Sequence, residues 1–225
     1  MSQIVFLPGF DGLAALRREF LDALAAKHEV RSVSYPNRAL GSLDAYRDHA
    51  MAASPVDWKP VLVAESFSGL VATRWAEVDS RVRALVLCAA FARNPVGHAA
   101  SLGAMLPALV KLGPAFTRPM AWRAIDARRS RWSAGLSRAL NELDDDVVAE
   151  RLRLIANEDV SAALAALRIP VVVVHFTDDL VVGPHAHSQL EESCPRAQVL
   201  RLEGPHFAIA TRPLECAAAI SASLA

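Results

Sequence analysis

Short runs of consecutive apolar residues, many of them β-branched, recur along the chain and are separated by helix-length segments. The clearest run covers residues 170–175 and contains four successive valines. A strand that is apolar on both faces is typical of a parallel sheet, because the helices that connect parallel strands cover both faces. The pattern predicts six such strands, at residues 4–7, 30–34, 61–64, 83–88, 170–175 and 198–202.

The segment from about residue 91 to 167 breaks this alternation, since it contains several helical patterns and no convincing strand. We interpret it as a helical lid inserted between the fourth and fifth strands. The predicted fold is therefore a single α/β domain over residues 1–225. Its mostly parallel sheet has roughly six strands, with helices on both faces.

Charge and cysteine content exclude several classes of protein. The 225 residues are 53% hydrophobic, and 24 basic residues balance 24 acidic ones. This composition argues against disorder and against a nucleic-acid partner, which usually requires a basic excess. Three cysteines without close spacing make a disulfide framework unlikely and fit a reducing compartment. They are Cys88, Cys194 and Cys216. Cys88 ends an apolar run, so a buried free thiol is preferred there to a nucleophile.

The N-terminal sequence lacks a signal-peptide pattern, and no apolar run approaches the length of about 18 residues that a membrane span requires. We therefore expect a cytoplasmic protein without a membrane span. The sequence leaves the oligomeric state open.

The residues after the third predicted strand read Val-Ala-Glu-Ser-Phe-Ser-Gly, at positions 63–69. In a strand–turn–helix elbow, the turn presents a nucleophile, and the backbone crowds the positions two before and two after it. Ser66 has the small residues Ala64 and Ser68 at these positions, whereas Ser68 would have Leu70. Ser66 is therefore the predicted nucleophile. The alternative is a loop whose serines cap a helix.

A serine nucleophile requires a histidine base that a carboxylate orients. Two acids, Asp178 and Asp179, follow the fifth strand, and His206 follows the sixth. This order of serine, acid and histidine is the one that a sheet with such an elbow uses. We prefer Asp178 as the acid, because Asp179 precedes the apolar residues 180–181, which we expect to anchor the loop. Asp179 would then cap the turn.

The oxyanion of an acyl intermediate requires preorganised donors, and the loss of one costs about 10²–10³ in rate. The backbone N–H of Phe67, directly after the nucleophile, is the first predicted donor. The second is the backbone N–H of Phe10, in the loop Leu-Pro-Gly-Phe-Asp-Gly at positions 7–12. A plain strand-to-helix turn is the alternative interpretation of that loop.

Together, the oxyanion loop, elbow, acid loop and histidine loop resemble the α/β-hydrolase fold superfamily over essentially the whole chain outside the insertion. The resemblance implies a serine esterase or thioesterase. Two positions depart from the usual pattern. Pro8 stands where the family often has a histidine, and Ala64 stands where the elbow usually has a glycine.

The insertion lies where this family places its lid, so we expect it to contribute to substrate binding. Its apolar side chains either line an acyl pocket or pack the lid helices together. These residues are Met105, Phe116, Met120 and Trp122. Six arginines between positions 118 and 138 either pair with the acidic stretch 142–159 or form a basic rim for an anionic carrier such as coenzyme A.

The predicted function is cleavage of a small-molecule carboxylic ester or thioester through an acyl-enzyme intermediate, without a cofactor or metal. His185 and His187 have the spacing of a metal pair, but no further ligand pattern supports them, so a solvated loop is preferred. An acyltransferase or a lyase on the same fold is the alternative. A non-catalytic binding protein is disfavoured by the complete triad.

Overall fold

The computed structural model of the protein describes residues 1–95 and 131–224, without the side chains of residues 131–134 and 137. Its centre is a six-stranded sheet in the order β2-β1-β3-β4-β5-β6, and every neighbouring pair is parallel. The predicted parallel α/β sheet is therefore confirmed. The strands are β1 (Gln3–Leu7), β2 (Glu29–Ser32), β3 (Val61–Glu65), β4 (Ala84–Cys88), β5 (Val171–Phe176) and β6 (Gln198–Leu202).

Helices cover both faces of this sheet. A short 3₁₀ helix, Ala14–Arg17, precedes the first α-helix. The α-helices are α1 (Arg18–Ala25), α2 (Leu43–Ala52), α3 (Ser68–Val78), α4 (Arg131–Glu142), α5 (Asp145–Asn157), α6 (Ser161–Ala166), α7 (Pro184–Ser193), α8 (Ala208–Thr211) and α9 (Pro213–Ser223).

The alternation of side chains along each strand divides the core into two layers. Val5, Leu62 and Leu85 belong to the layer that also contains buried side chains of α2, α3, α5, α6 and α7. Ile4 and Val63, from alternate positions, belong to the layer that contains side chains of α1, α8 and α9. Continuous apolar strands are therefore buried on both faces, as their sequences predict.

Strand order creates a topological switch point between β1 and β3. The chain runs from β1 outward to β2 and then crosses back to β3 on the other side of β1. In open parallel sheets, ligands bind outside the carboxyl ends of the strands at such a switch point. The predicted oxyanion loop follows β1 and the predicted elbow follows β3, so both flank this position.

The described part of the insertion between β4 and β5 is helical and consists of α4, α5 and α6. The four predicted pocket residues, Met105, Phe116, Met120 and Trp122, lie outside the described residues, as do four of the six lid arginines. A fifth, Arg131, is described without its side chain. Among the helices that the structure describes, none combines the length and apolar character needed to cross a membrane.

Candidate active site

The loop between β3 and α3 has the backbone of a strained elbow. Ser66 has φ +52°, in the left-handed region that residues other than glycine rarely adopt. Its N–H donates to the Cys88 carbonyl at 2.9 Å, and its own carbonyl accepts from the Gly69 N–H at 2.8 Å. These bonds hold an unfavourable conformation in place, and Ser66 stays accessible to 8%.

Ser66 lies within hydrogen-bond distance of His206. The Oγ of Ser66 is 3.0 Å from Nε2 of His206, and Nδ1 of the same ring is 2.8 Å from Oδ2 of Asp179. His206 and Asp179 are both buried. In the tautomer that the carboxylate favours, Nδ1–H donates to Asp179 and Nε2 accepts from the serine hydroxyl. The three side chains thus form a continuous chain that can remove the hydroxyl proton of Ser66.

The carboxylate that contacts His206 belongs to Asp179, so the prediction of Asp178 for this position is wrong by one residue. Backbone bonds explain the difference. The N–H groups of Thr177 and Asp178 donate to the carbonyls of Leu202 and Gly204, which continues the pairing beyond β5 and leaves the Asp178 side chain exposed. The chain turns at the next residue, and this turn places Asp179 beneath the histidine.

The expected apolar anchor of this loop is also displaced along the chain. Leu180 and Val181 are exposed, whereas Val182 is fully buried. Oδ1 of Asp179 accepts from the N–H groups of Val181 and Val182, while Oδ2 faces His206. Asp179 therefore caps the turn, as predicted, and contacts the histidine with its other oxygen.

Both predicted oxyanion donors have unused N–H groups. Within the described chain, neither the Phe10 N–H nor the Phe67 N–H donates to a protein acceptor. The loop that contains Phe10 lies against the elbow, since a Cβ added at Gly9 would be 3.6 Å from Cβ of Ser66. The Ser68 hydroxyl donates to the Pro8 carbonyl and joins the two segments. These two amides can therefore act on an oxygen beside Ser66.

A buried ionic cluster beneath the site was missed by the sequence analysis. Arg17 donates from Nε to Glu65 and from Nη1 to Asp11, each at 2.7 Å, and all three side chains are buried. Burial lowers the pKa of Arg17, but the two carboxylates outweigh burial and raise it. Because Asp11 belongs to the oxyanion loop and Glu65 directly precedes Ser66, the cluster ties the loop to the elbow. An acid within an otherwise apolar strand was the available signal.

Cys88 lies close to the elbow but is unsuited to act as a nucleophile. Its side chain is fully buried at the end of β4, and burial raises the pKa of the thiol well above its ordinary value. The reactive species of cysteine is the thiolate, so burial disfavours it. No group of histidine, cysteine and acidic side chains suited to a metal ion occurs among the residues that the structure describes.

Comparisons with known proteins agree with this architecture. The family model described as "Alpha/beta hydrolase family" matches residues 4–219. A curated relative, polyketide synthase ThaQ of Burkholderia thailandensis, is 27% identical over 241 aligned positions. The alignment covers 92% of this chain but spans only 11% of the length of that relative.

Solved structures share the fold at low sequence identity. An enol-lactonase from Burkholderia xenovorans is 15% identical with a TM-score of 0.79, covering 99% of this chain and 91% of the other. A lipase-esterase related protein from Clostridium acetobutylicum is 15% identical with a TM-score of 0.81, covering 98% and 93%. A malate-bound thermophilic esterase from Thermogutta terrifontis is 17% identical with a TM-score of 0.78, covering 100% and 89%.

Proposed function

Because this chain belongs to the alpha/beta hydrolase family, we propose that it is a serine hydrolase that cleaves a carboxylic ester or thioester. The observation that carries the proposal is the chain of contacts from Ser66 through His206 to Asp179, at 3.0 and 2.8 Å. The esterase and the enol-lactonase among the structures of similar fold support ester chemistry.

The first half of the reaction forms an acyl-enzyme. Ser66 Oγ attacks the carbonyl carbon of the substrate while His206 Nε2 accepts the hydroxyl proton. The carbonyl oxygen becomes an oxyanion, which accepts from the N–H groups of Phe10 and Phe67. The tetrahedral intermediate then collapses, the bond to the alcohol or thiol breaks, and His206 returns its proton to that leaving group.

The second half repeats these steps with water. His206 removes a proton from the water molecule as its oxygen attacks the acyl carbon, and the same two amides bind the second oxyanion. Collapse releases the carboxylic acid, and the proton returns to Ser66 Oγ. Asp179 keeps its hydrogen bond to Nδ1 of His206 in both halves, which fixes the tautomer and stabilises the imidazolium.

We expect Ser66→Ala and His206→Ala each to abolish nearly all turnover of a p-nitrophenyl ester. The double variant should be little slower than either single one, since the residues act as a unit. A fluorophosphonate probe should label the wild-type protein at Ser66, as read by peptide mass spectrometry, and should not label Ser66→Ala.

Ser68→Ala tests which serine of the turn reacts with the probe, because Ser68 is fully buried and its hydroxyl donates to the Pro8 carbonyl. This variant should still be labelled at Ser66. Near-wild-type turnover by a folded Ser66→Ala protein would overturn the proposal. If the proposal holds, assays of an oxygen ester and a thioester with the same acyl group identify which leaving group the enzyme prefers.

A further inference from the structure

Arg151 is a buried cation beside the oxyanion loop. It lies on α5, inside the segment inserted between β4 and β5, and its side chain is fully buried. It forms no ion pair with an acid of the described chain. Burial of a charge without a counter-charge is unfavourable, so this arrangement must be offset by another interaction.

The guanidinium is held by backbone and aromatic groups. Nη1 donates to the Phe10 carbonyl, and Nε donates to the Tyr46 hydroxyl at 3.1 Å. Cζ lies 5.5 Å from the ring centroids of both Tyr35 and Tyr46, within the range of cation–π attraction. The guanidinium plane therefore has a defined position against the loop.

The oxyanion loop is shaped to receive this group. Gly12 has φ +76°, and a Cβ there would lie 3.0 Å from both Nη1 and Nη2 of Arg151. Glycine is thus required for the backbone conformation and for the space that the guanidinium occupies. Nη2 has no hydrogen-bond acceptor in the described chain, so the defined bond to the loop is the one from Nη1 to Phe10.

We propose that Arg151 is a positioning residue that holds the Phe10 carbonyl and so fixes the Phe10 amide as an oxyanion donor. The inference rests on the proposed function. Arg17 holds the opposite part of the loop through Asp11. Rotation about the backbone bonds of Phe10 would turn its N–H away from the oxyanion. The hydrogen bond from Arg151 to the Phe10 carbonyl restrains that rotation. The inserted segment therefore contributes a residue that completes the catalytic loop.

The test compares Arg151→Met with Arg153→Met, a control on an exposed arginine of the same helix that donates to the Gly41 carbonyl. We expect Arg151→Met to lower kcat for a p-nitrophenyl ester by about 10²-fold, the scale of losing one oxyanion donor. KM should change less than about threefold, because the donor acts on the oxyanion more than on the ground state. Arg153→Met should keep wild-type kinetics.

A tetrahedral inhibitor separates positioning from a purely structural role. A trifluoromethyl ketone forms an oxyanion on Ser66, so Arg151→Met should raise its inhibition constant by about the same factor as kcat falls. Arg151→Lys, which can still donate once to Phe10, should recover part of both losses. If Arg151 only stabilised the fold, Arg151→Met would lower the melting temperature, but kcat and the inhibition constant would not change by the same factor.

Wild-type kcat and inhibition constant in Arg151→Met would overturn the inference, as would a lower kcat with an unchanged inhibition constant. If Arg151→Met does not fold, Arg151→Lys and Tyr46→Phe are measured in the same way, and a wild-type inhibition constant in both has the same consequence. Ser66→Ala separates the two proposals. Residual turnover there defeats the proposed function, whereas an inactive Ser66→Ala beside a normal Arg151→Met defeats the role of Arg151 alone.

Discussion

Asp179 uses its two carboxylate oxygens for different purposes. Oδ1 accepts from the Val181 and Val182 N–H groups, and Oδ2 is 2.8 Å from His206 Nδ1. The turn thereby fixes the rotation of the carboxyl group before any substrate binds. The orientation of the imidazole is thus preorganised by the backbone of its own acid loop.

An amide at this position should retain the cap and disable the base. In Asp179→Asn, Oδ1 can still accept from the two valine amides, which leaves the NH₂ group facing His206. An NH₂ group favours the tautomer with a proton on Nε2, which cannot accept the serine proton. We expect kcat for a p-nitrophenyl ester to fall by about 10³- to 10⁴-fold.

Asp178→Asn is the matched control, because the neighbouring carboxylate is exposed. Its kcat should stay close to the wild-type value, and both variants should have wild-type midpoints in urea denaturation. A larger loss in Asp178→Asn than in Asp179→Asn would show that Asp178, and not Asp179, orients His206.

At the scale of secondary structure, the elbow depends on how closely α3 approaches the end of β4. A Cβ added at Gly69 would lie 2.7 Å from Cβ of Ala90, closer than side chains in proteins approach. Ala90 belongs to the segment after β4 and is fully buried. The first turn of α3 therefore packs so closely against this segment that no additional methyl group fits between them. That turn directly follows the Phe67 amide.

We expect Gly69→Ala to lower the free energy of unfolding by about 1–3 kcal/mol, because the added methyl group must displace α3 or the β4 loop. Ala90→Gly removes the opposing methyl group, so the double variant should recover part of the loss. Gly183→Ala is the control, since nothing lies within 4 Å of its added Cβ. Additive losses in the double variant would refute the steric explanation. Urea denaturation measures all four proteins.

At the scale of the whole molecule, local patterns predicted the sheet, and they selected the serine and the histidine that lie within hydrogen-bond distance of each other in the structure. Residues 170–175 and the segment 63–69 have signals that depend on near neighbours alone, and His206 follows from strand order. The acid required a register accurate to one residue, which an Asp-Asp pair does not provide. Arg17 and Arg151 contact the site only through tertiary packing, and no local periodicity distinguishes them from solvated arginines.

Two histidines outside the candidate site pack against each other between β5 and α7. His175, on β5, stacks on His187, on α7, with ring centroids 3.9 Å apart. His185 and His187 both lie in the helix α7, so the expectation of a loop is wrong for both; His185 is exposed, as expected, whereas His187 is half-buried. His175 Nε2 is 3.2 Å from Oε1 of Glu191, which also binds Arg201.

Burial is the largest cause that lowers the pKa of His175 from 6.5 to about 4, and repulsion from His187 is the second. Glu191 acts in the opposite direction. Burial also lowers the pKa of His187. Between pH 6.5 and about 4, the unfolded chain therefore binds protons that the folded chain does not. The stabilisation is fully present above pH 6.5 and is lost as the pH falls toward 4.

We expect the free energy of unfolding to fall between about pH 7.5 and about pH 5, with His175 contributing about 1–2 kcal/mol of the loss. His175→Gln replaces the titrating ring by a neutral polar group, so its stability should decrease less over this interval, whatever its value at neutral pH. His185→Gln removes an exposed ring of α7 and should keep the wild-type decrease. Urea denaturation at both pH values measures how the free energy of unfolding changes with pH in the wild type and in the two variants. An unchanged slope in His175→Gln would show that this ring takes up its proton equally well in the folded and unfolded chain.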